Sequence, residues 1–340
     1  MKSRIAIAIA VLTLFAAGCS NSPEGSGENS EGEARLSYAY QVDSPNLADI
    51  YLSIAQDKGL FKELGLKVDY KFLNGAGPAF QALIANETDL SQVGVDQFYK
   101  AVQSGEELEA VLDLTPTSQY YLLTNDSIKN WNDLEDARIG ISQPGTLSQS
   151  IVQLAMEANG ADPDKAKYLA VGGSGARRQS LVSGRIDAGV GHASDAVALS
   201  GEGIKPFANL DEELPKLQGV MTVAKSDTVD KKRTAIVKFS AALIQGARMA
   251  AADKDLAVAE FVKHRKGTNK EDAATAYELL HDTAWNLNGG MEKERYEYTA
   301  QTLIDAGTLK SPPPDYSSLF DVKIQEEAIQ LADKTWGGSS

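Results

Sequence analysis

The chain is poor in cysteine and histidine, with one Cys and three His in 340 residues. A lone cysteine cannot close an internal disulfide, so the fold has to stand on its apolar core. No His/Cys/Asp/Glu spacing reads as a metal site, and neither a metal nor a cofactor is expected. Basic residues are short as well: 33 Lys and Arg stand against 47 Asp and Glu, for a net charge of −14. That balance argues against nucleic acid as a partner. It does not specify a cationic ligand, because most of the carboxylates belong on solvated helix faces. Apolar runs long enough to cross a membrane are missing. Residues 20–33 (SNSPEGSGENSEGE) contain no hydrophobic residue at all.

The N-terminus holds Lys2 and Arg4, an apolar run from Ile5 to Phe15, then Ala16, Ala17, Gly18 and Cys19. That order is a secretory signal, and the run is short for a membrane span. Ala16-Ala17-Gly18-Cys19 resembles a bacterial lipobox, with Ala where Leu is usual three residues before the cysteine. The expectation is a lipoprotein signal peptide at 1–18, lipidation of Cys19 and a flexible tether at 19–34. A monomeric body would then work outside the cytoplasm, anchored to the cell membrane and periplasmic where the host has an outer membrane.

From Arg35 short strands alternate with helices. Leu66, Val68, Tyr70 and Phe72 alternate with Lys67, Asp69 and Lys71, the period of a strand with one wet face. Strands are also expected at Leu36–Tyr40, Val93–Val95 and Glu109–Leu114. A second such run starts near Tyr120, with strands at Tyr120–Thr124, Ile139–Ile141, Tyr168–Val171, Ile186–Val190 and Gly219–Ala224. Five helices follow, over 229–252, 256–264, 271–285, 292–306 and 324–334. Strands spaced by helices imply parallel pairing. The simplest packing makes 35–119 plus 225–340 one lobe and 120–224 the other. Crossings near 115–122 and 219–226 then form a hinge with a cleft between the lobes.

Several segments resemble one family. Residues 51–61 (YLSIAQDKGLF) with Leu64-Gly65-Leu66-Lys67-Val68 are similar to its "A-x-x-x-G-hydrophobic-F … G-L-x-V" opening. Residues 82–90 (ALIANETDL) resemble its "A-L-x-x-G-x-x-D" segment, with Asn86 where Gly is usual. Trp131-Asn132-Asp133-Leu134, Ile139-Gly140-Ile141 and Pro144-Gly145-Thr146 resemble its "DL-x-G-x-x-I-G-V … G-S/T" stretch. Residues 181–188 (LVSGRIDA) resemble "L-x-x-G-x-x-D-A". The family is the NMT1/THI5-like (SsuA/TauA-like) group of ABC-importer binding proteins for nitrate, sulfonates, taurine and thiamine-pyrimidine precursors. The resemblance implies a type II periplasmic-binding-protein fold: α/β, two lobes, a hinge, an interlobe cleft and a helical C-terminal third. It also implies a small-molecule solute as ligand, and an ABC permease with its ATPase subunits as partners.

Open α/β sheets bind ligands beyond the carboxyl ends of their strands, where helix N-termini present free N–H groups. That rule selects Asp43, Ser44 and Asn46; Asn74 and Gly75; Asp96 and Gln97; and Thr115 on the first lobe. On the second it selects Gly145, Thr146 and Leu147; Gly173 and Ser174; and His192 and Asp195, with Tyr120 at the crossing. Gly145-Thr146-Leu147-Ser148 suits a carboxylate, sulfonate or phosphate, or serves as a plain helix cap. Asp43, Asp96 and Asp195 invite an amine or serve as Asx-turns. Arg177 and Arg178 read as surface charges matched with acids, although one could reach an anion in the cleft.

Residues 172–176 (GGSGA) resemble a nucleophile elbow, but Ala176 stands where that motif needs Gly. No catalytic residue is assigned, and the reading is a capture protein rather than an enzyme. Its competitors are a surface sensor or adhesin without transport, and an enzyme on the same fold. Relatives of the latter kind depend on a cysteine-rich segment, which this chain lacks.

Overall fold

The computed structural model describes residues 34–41, 45–73, 75–280 and 284–337. The signal segment, Cys19 and the tether lie outside the described residues, as do Asp43, Ser44, Asn74 and His281. Among the described residues no helix is long and apolar enough to cross a membrane.

Among the described residues, ten strands form two five-stranded sheets. They are β1 (Ala34–Tyr40), β2 (Leu66–Phe72), β3 (Leu90–Gly94), β4 (Leu108–Leu112) and β5 (Tyr121–Asn125). After them come β6 (Arg138–Ile141), β7 (Lys167–Ala170), β8 (Ala188–Gly191), β9 (Ile204–Asn209) and β10 (Val220–Lys225). The first sheet has the order β2-β1-β3-β10-β4 and the second β7-β6-β8-β5-β9. The two halves therefore repeat one plan, with the fourth place of each sheet filled by the strand that has just crossed over.

Those two strands correct the expectation of parallel sheets. β10 pairs antiparallel with β3 and β4, and β5 antiparallel with β8 and β9. Each arrives from the opposite half and enters its sheet against the grain. Strand β10 also moves sheets: residues 220–224, grouped above with 120–219, hydrogen-bond inside the first sheet. Strand β9 was not anticipated. Its sequence, IKPFAN, carries Pro206 and sits at the sheet edge, where a missing N–H is tolerated.

The two crossings lie side by side. A Cβ on Gly219 would stand 2.4 Å from the Thr117 carbonyl oxygen, so only glycine lets the strands approach this closely. Asp211 clamps the first crossing, accepting from Thr117 Oγ1 and Ser118 Oγ at 2.7 Å each and from the Gln119 N–H. Gln119 itself is in the left-handed region, φ +57°, a conformation that needs such bonds to hold it.

Helices Ser226–Ala252 and Val322–Trp336 cover one face of the first sheet, and Lys254–His264 and Lys270–Leu280 extend the same apolar cluster beside them. Phe239, Ile244, Phe261 and Ile324 share a single apolar cluster with Leu36, Tyr38, Ile50 and Ile54, all essentially inaccessible to water. The helix expected over 271–285 is described over Lys270–Leu280, and Trp285 donates its indole N–H to the Ala48 carbonyl at 2.6 Å.

Candidate functional site

A cavity of about 660 Å³, counting space open to solvent, lies between the carboxyl ends of the two sheets. Small-ligand sites run from about 300 to 1,000 Å³. The crossings supply its floor through Thr115, Ser118, Gln119, Tyr120 and Val220. Helices Ala76–Ile84, Leu147–Ala158 and Ser174–Val182 point their N-terminal ends at it.

The wall from the first sheet is acidic and amide-rich. Tyr40, Gln41, Asn46, Asp49 and Gln92 line it. Asp49 accepts from the Tyr40 hydroxyl at 2.8 Å, Gln92 Nε2 at 3.1 Å, and Asn46 Nδ2 and the Tyr51 hydroxyl at 3.4 Å. Four donors on one carboxylate fix the surrounding side chains in place. Burial, then the Asp49 charge, pushes the Tyr40 and Tyr51 phenols well above their usual range, so both stay protonated as donors.

The facing wall is basic. Arg177 is 3% exposed and lines the cavity. Its Nε donates to the Val190 carbonyl at 2.9 Å, Nη1 to the Gly172 carbonyl at 2.9 Å and Nη2 to Ser174 Oγ at 3.1 Å. Among the described residues no ion pair within 4.0 Å includes Arg177. Burial pulls its pKa down, but a guanidinium remains charged in proteins. Its direct partners are neutral, the Tyr120 hydroxyl among them, and the Asp195 charge reaches it only from beyond ion-pair distance. His192 stands beside it, its ring 4.8 Å from that of Tyr120. Burial lowers the His192 pKa below 6.5, so at neutral pH the imidazole is uncharged. Its Nδ1 has no hydrogen-bond partner among the described residues.

The lobes meet closely at the rim. A Cβ on Gly75 (φ +106°) would come within 2.7 Å of Ser142 Oγ, and the Ala76 N–H donates to that same oxygen at 3.3 Å.

Of the residues selected from sequence, Asn46, Gly75, Thr115, Tyr120, Leu147, Gly173, Ser174 and His192 line the cavity. Gly145 and Thr146 do not. The Thr146 hydroxyl turns back to the Gln143 carbonyl at 2.8 Å and to Ser148 Oγ at 2.9 Å, leaving Leu147 and Ser148 facing inward. Asp96, Gln97 and Asp195 do not line it either. Asp96 and Asp195 are spent on contacts between the lobes: Ser150 Oγ donates to Asp96 at 3.3 Å, and Arg265 donates to Asp195. The reading of Arg177 and Arg178 as surface charges is corrected for Arg177, which is buried, while Arg178 pairs with Asp195 at 2.9 Å.

Tyr40, Asp49, Gln92, Ser142 and Arg177 are among the lining residues that the turn rule missed. Tyr40 and Gln92 are within strands, and Arg177 is a turn inside its helix. Ser174, centre of the elbow-like motif, accepts from an arginine donor rather than facing a base. Elsewhere Asp57, Glu260 and His264 gather three potential ligand atoms. Lys263 Nζ already neutralises that group, 2.7 Å from Asp57 and 3.3 Å from Glu260.

Comparison with known proteins gives consistent neighbours. Residues 44–257 match the family described as NMT1/THI5 like. The formylaminopyrimidine-binding protein of Halalkalibacterium halodurans is 24% identical over 328 residues, 92% of this chain and 96% of that one. The alkanesulfonate-binding protein SsuA of Xanthomonas axonopodis pv. citri, solved with MOPS bound, superposes with a TM-score of 0.70 at 16% identity. The match covers 84% of this chain and 98% of that one. The periplasmic nitrate-binding protein NrtA of Synechocystis gives 0.71 at 10% identity over 88% and 89%. The shared fold is the periplasmic-binding-protein fold.

Proposed function

The chain belongs to the NMT1/THI5-like family, and from that premise we propose that it is the extracytoplasmic solute-binding component of an ABC importer. It captures a small polar molecule, anionic or heteroaromatic, between two lobes and delivers it to the permease and its ATPase subunits. The observation that carries this reading is Arg177: a buried guanidinium lining the cavity, bonded to neutral groups, with no carboxylate within 4.0 Å among the described residues. A buried charge is costly until it is paired, so an anionic or strongly accepting group on the ligand is the missing partner. The unpartnered His192 Nδ1 offers it a second contact, and the Tyr120 ring a flat apolar face. Across the cavity Asp49 and Gln92 favour amino or amide N–H groups on the ligand's other end. Anchoring through Cys19 keeps the loaded protein near its importer.

The ligand named for the H. halodurans relative, a formylaminopyrimidine, has the kind of structure such walls would accept: a flat ring with donors and a carbonyl acceptor. The lobes would open about the paired crossings near Thr117 and Gly219, with ligand shifting the balance toward the closed form.

The test is thermal unfolding of residues 21–340 against sulfonates, nitrate, formyl- and hydroxymethyl-aminopyrimidines, flavins and small aromatic acids. A true ligand at about 100 times its Kd adds about 2.7 kcal/mol, a shift of several degrees. No shift across a broad panel would sink the capture reading and favour a surface sensor or adhesin.

A further inference from the structure

Away from the paired crossings, the lobes are joined a second time through Arg265. This residue follows the helix Lys254–His264 on the first lobe, and its guanidinium lies 5.4 Å from the centre of the Phe261 ring. From there it reaches the N-terminal turn of helix Ala193–Leu199 on the second lobe. Nη1 donates to Ser194 Oγ at 2.7 Å and Nη2 to Asp195 Oδ1. Both ends are buried, with side chains 9% and 1% exposed. On one side of the pair the seam is apolar: Ala193, with Tyr121 and Val197 at its edge, joins the cluster of Ala273, Ala276 and Leu280, while on the other Arg265 and Arg178 border a pocket open to solvent. The Tyr121 hydroxyl also donates to the Leu279 carbonyl at 3.3 Å.

We propose that Arg265 is a latch that holds the lobes closed by gripping Asp195 and Ser194. The proposal rests on the lobes moving as the capture reading requires. A buried ion pair adds little net stability compared with apolar residues, but it penalises every arrangement in which one partner is left alone. A pair of this kind therefore selects one register of the lobes. The latch also connects to the ligand wall, because Asp195 Oδ2 accepts from the main-chain N–H of His192 at 3.0 Å. Opening the lobes breaks Arg265 away, while Arg178, on the same lobe as Asp195, stays paired with it at 2.9 Å. Arg178 thus keeps the carboxylate ionised in both forms, ready to be gripped again.

The experiment compares ligand-free wild-type protein with Arg265→Gln, Ser194→Ala and Arg178→Gln by small-angle X-ray scattering and amide hydrogen exchange. Arg265→Gln is expected to enlarge the radius of gyration and speed exchange at the N–H groups of residues 192–196 by about tenfold or more. Ser194→Ala, which removes one acceptor and keeps the charges, should shift both readouts the same way by less. Arg178→Gln, which leaves the interlobe bond intact, should not enlarge the particle. Scattering and exchange of Arg265→Gln and Ser194→Ala that match wild type would overturn the latch. So would equal expansion in Arg178→Gln. No ligand is needed, so failure to find a solute and failure of the latch read out separately.

Discussion

Asp96 and Asp195 occupy matching places on opposite lobes, and they behave as opposites. Each lies in the first turn of the helix that follows a central strand, each is almost fully buried, and each accepts a hydrogen bond from the other lobe. For both, burial pushes the carboxyl pKa up. Around Asp195 the Arg265 charge, His192 once protonated in acid, the His192 main-chain N–H and the Arg178 charge outweigh burial and hold it at about 2. Around Asp96 the Lys100 charge, the Gln97 N–H and the Ser150 hydroxyl offset burial only in part, and the carboxyl rises to about 6. One of its oxygens has no hydrogen-bond partner among the described residues. The seam at Asp195 is therefore held by paired charge, while the seam at Asp96 is eased by a proton only below about pH 6. Depth of burial is the same; the partner decides.

The harshest way to break this contrast is Asp195→Ala, which strands two guanidiniums, one of them buried. Its expected cost is about 3–5 kcal/mol of unfolding free energy in urea. A loss under 1 kcal/mol would mean that the Asp195 seam is not held by charge.

The pH dependence sharpens the comparison. With its folded pKa at about 6 against an ordinary 3.8, Asp96 binds a proton more tightly in the folded state. Its stabilising effect is complete below 3.8 and is lost as pH rises through 6, a change of about 3 kcal/mol at most. Asp195, at about 2, works the other way: its contribution is present above 3.8 and is lost as pH falls toward 2. Asp96→Asn should therefore flatten the urea midpoint between pH 4 and 7 and leave the acid limb below pH 4 unchanged. A variant that kept the wild-type slope between pH 4 and 7 would assign that slope to another group.

The gentlest change is Ser150→Ala. It removes the one hydroxyl bonded to Asp96 from the other lobe, at an expected cost of about 1 kcal/mol at pH 7. The loss should shrink below pH 5, where a protonated Asp96 depends less on the donor. A cost equal at pH 4.5 and 7 would show that the hydroxyl acts through packing alone.

The same pair shows what the sequence could reveal. Alternation and helical spacing located nine of the ten strands near their observed places, because each buries one or both faces in a regular period. Direction was hidden, since β5 and β10 have the composition of parallel core strands yet run antiparallel after crossing over. Pro206 concealed β9. The rule for carboxyl ends of strands found the turns around the cavity but not which side chain of each turn faces it. Of Gly145, Thr146 and Leu147, all selected by the rule, the first two look away and Leu147 looks in, joined by Ser148. Asp96 and Asp195 were read as ligand contacts because an aspartate in a first helical turn looks the same whether it meets a ligand or another lobe. Arg177 was undervalued because a cation near a helix start is unfavourable to the helix dipole. Its place is explained only by the Val190 and Gly172 carbonyls that hold it.

The proposed pairing of Arg177 with the ligand is measured by titration calorimetry. The compound giving the largest thermal shift would be titrated into wild type and Arg177→Met, a replacement that fills similar space without the charge. Arg177→Met should lose about 100-fold or more in affinity, since a charged hydrogen bond contributes about 1.5–3 kcal/mol and the buried site adds to it. Equal affinity in a folded Arg177→Met protein would contradict the pairing and place ligand recognition elsewhere.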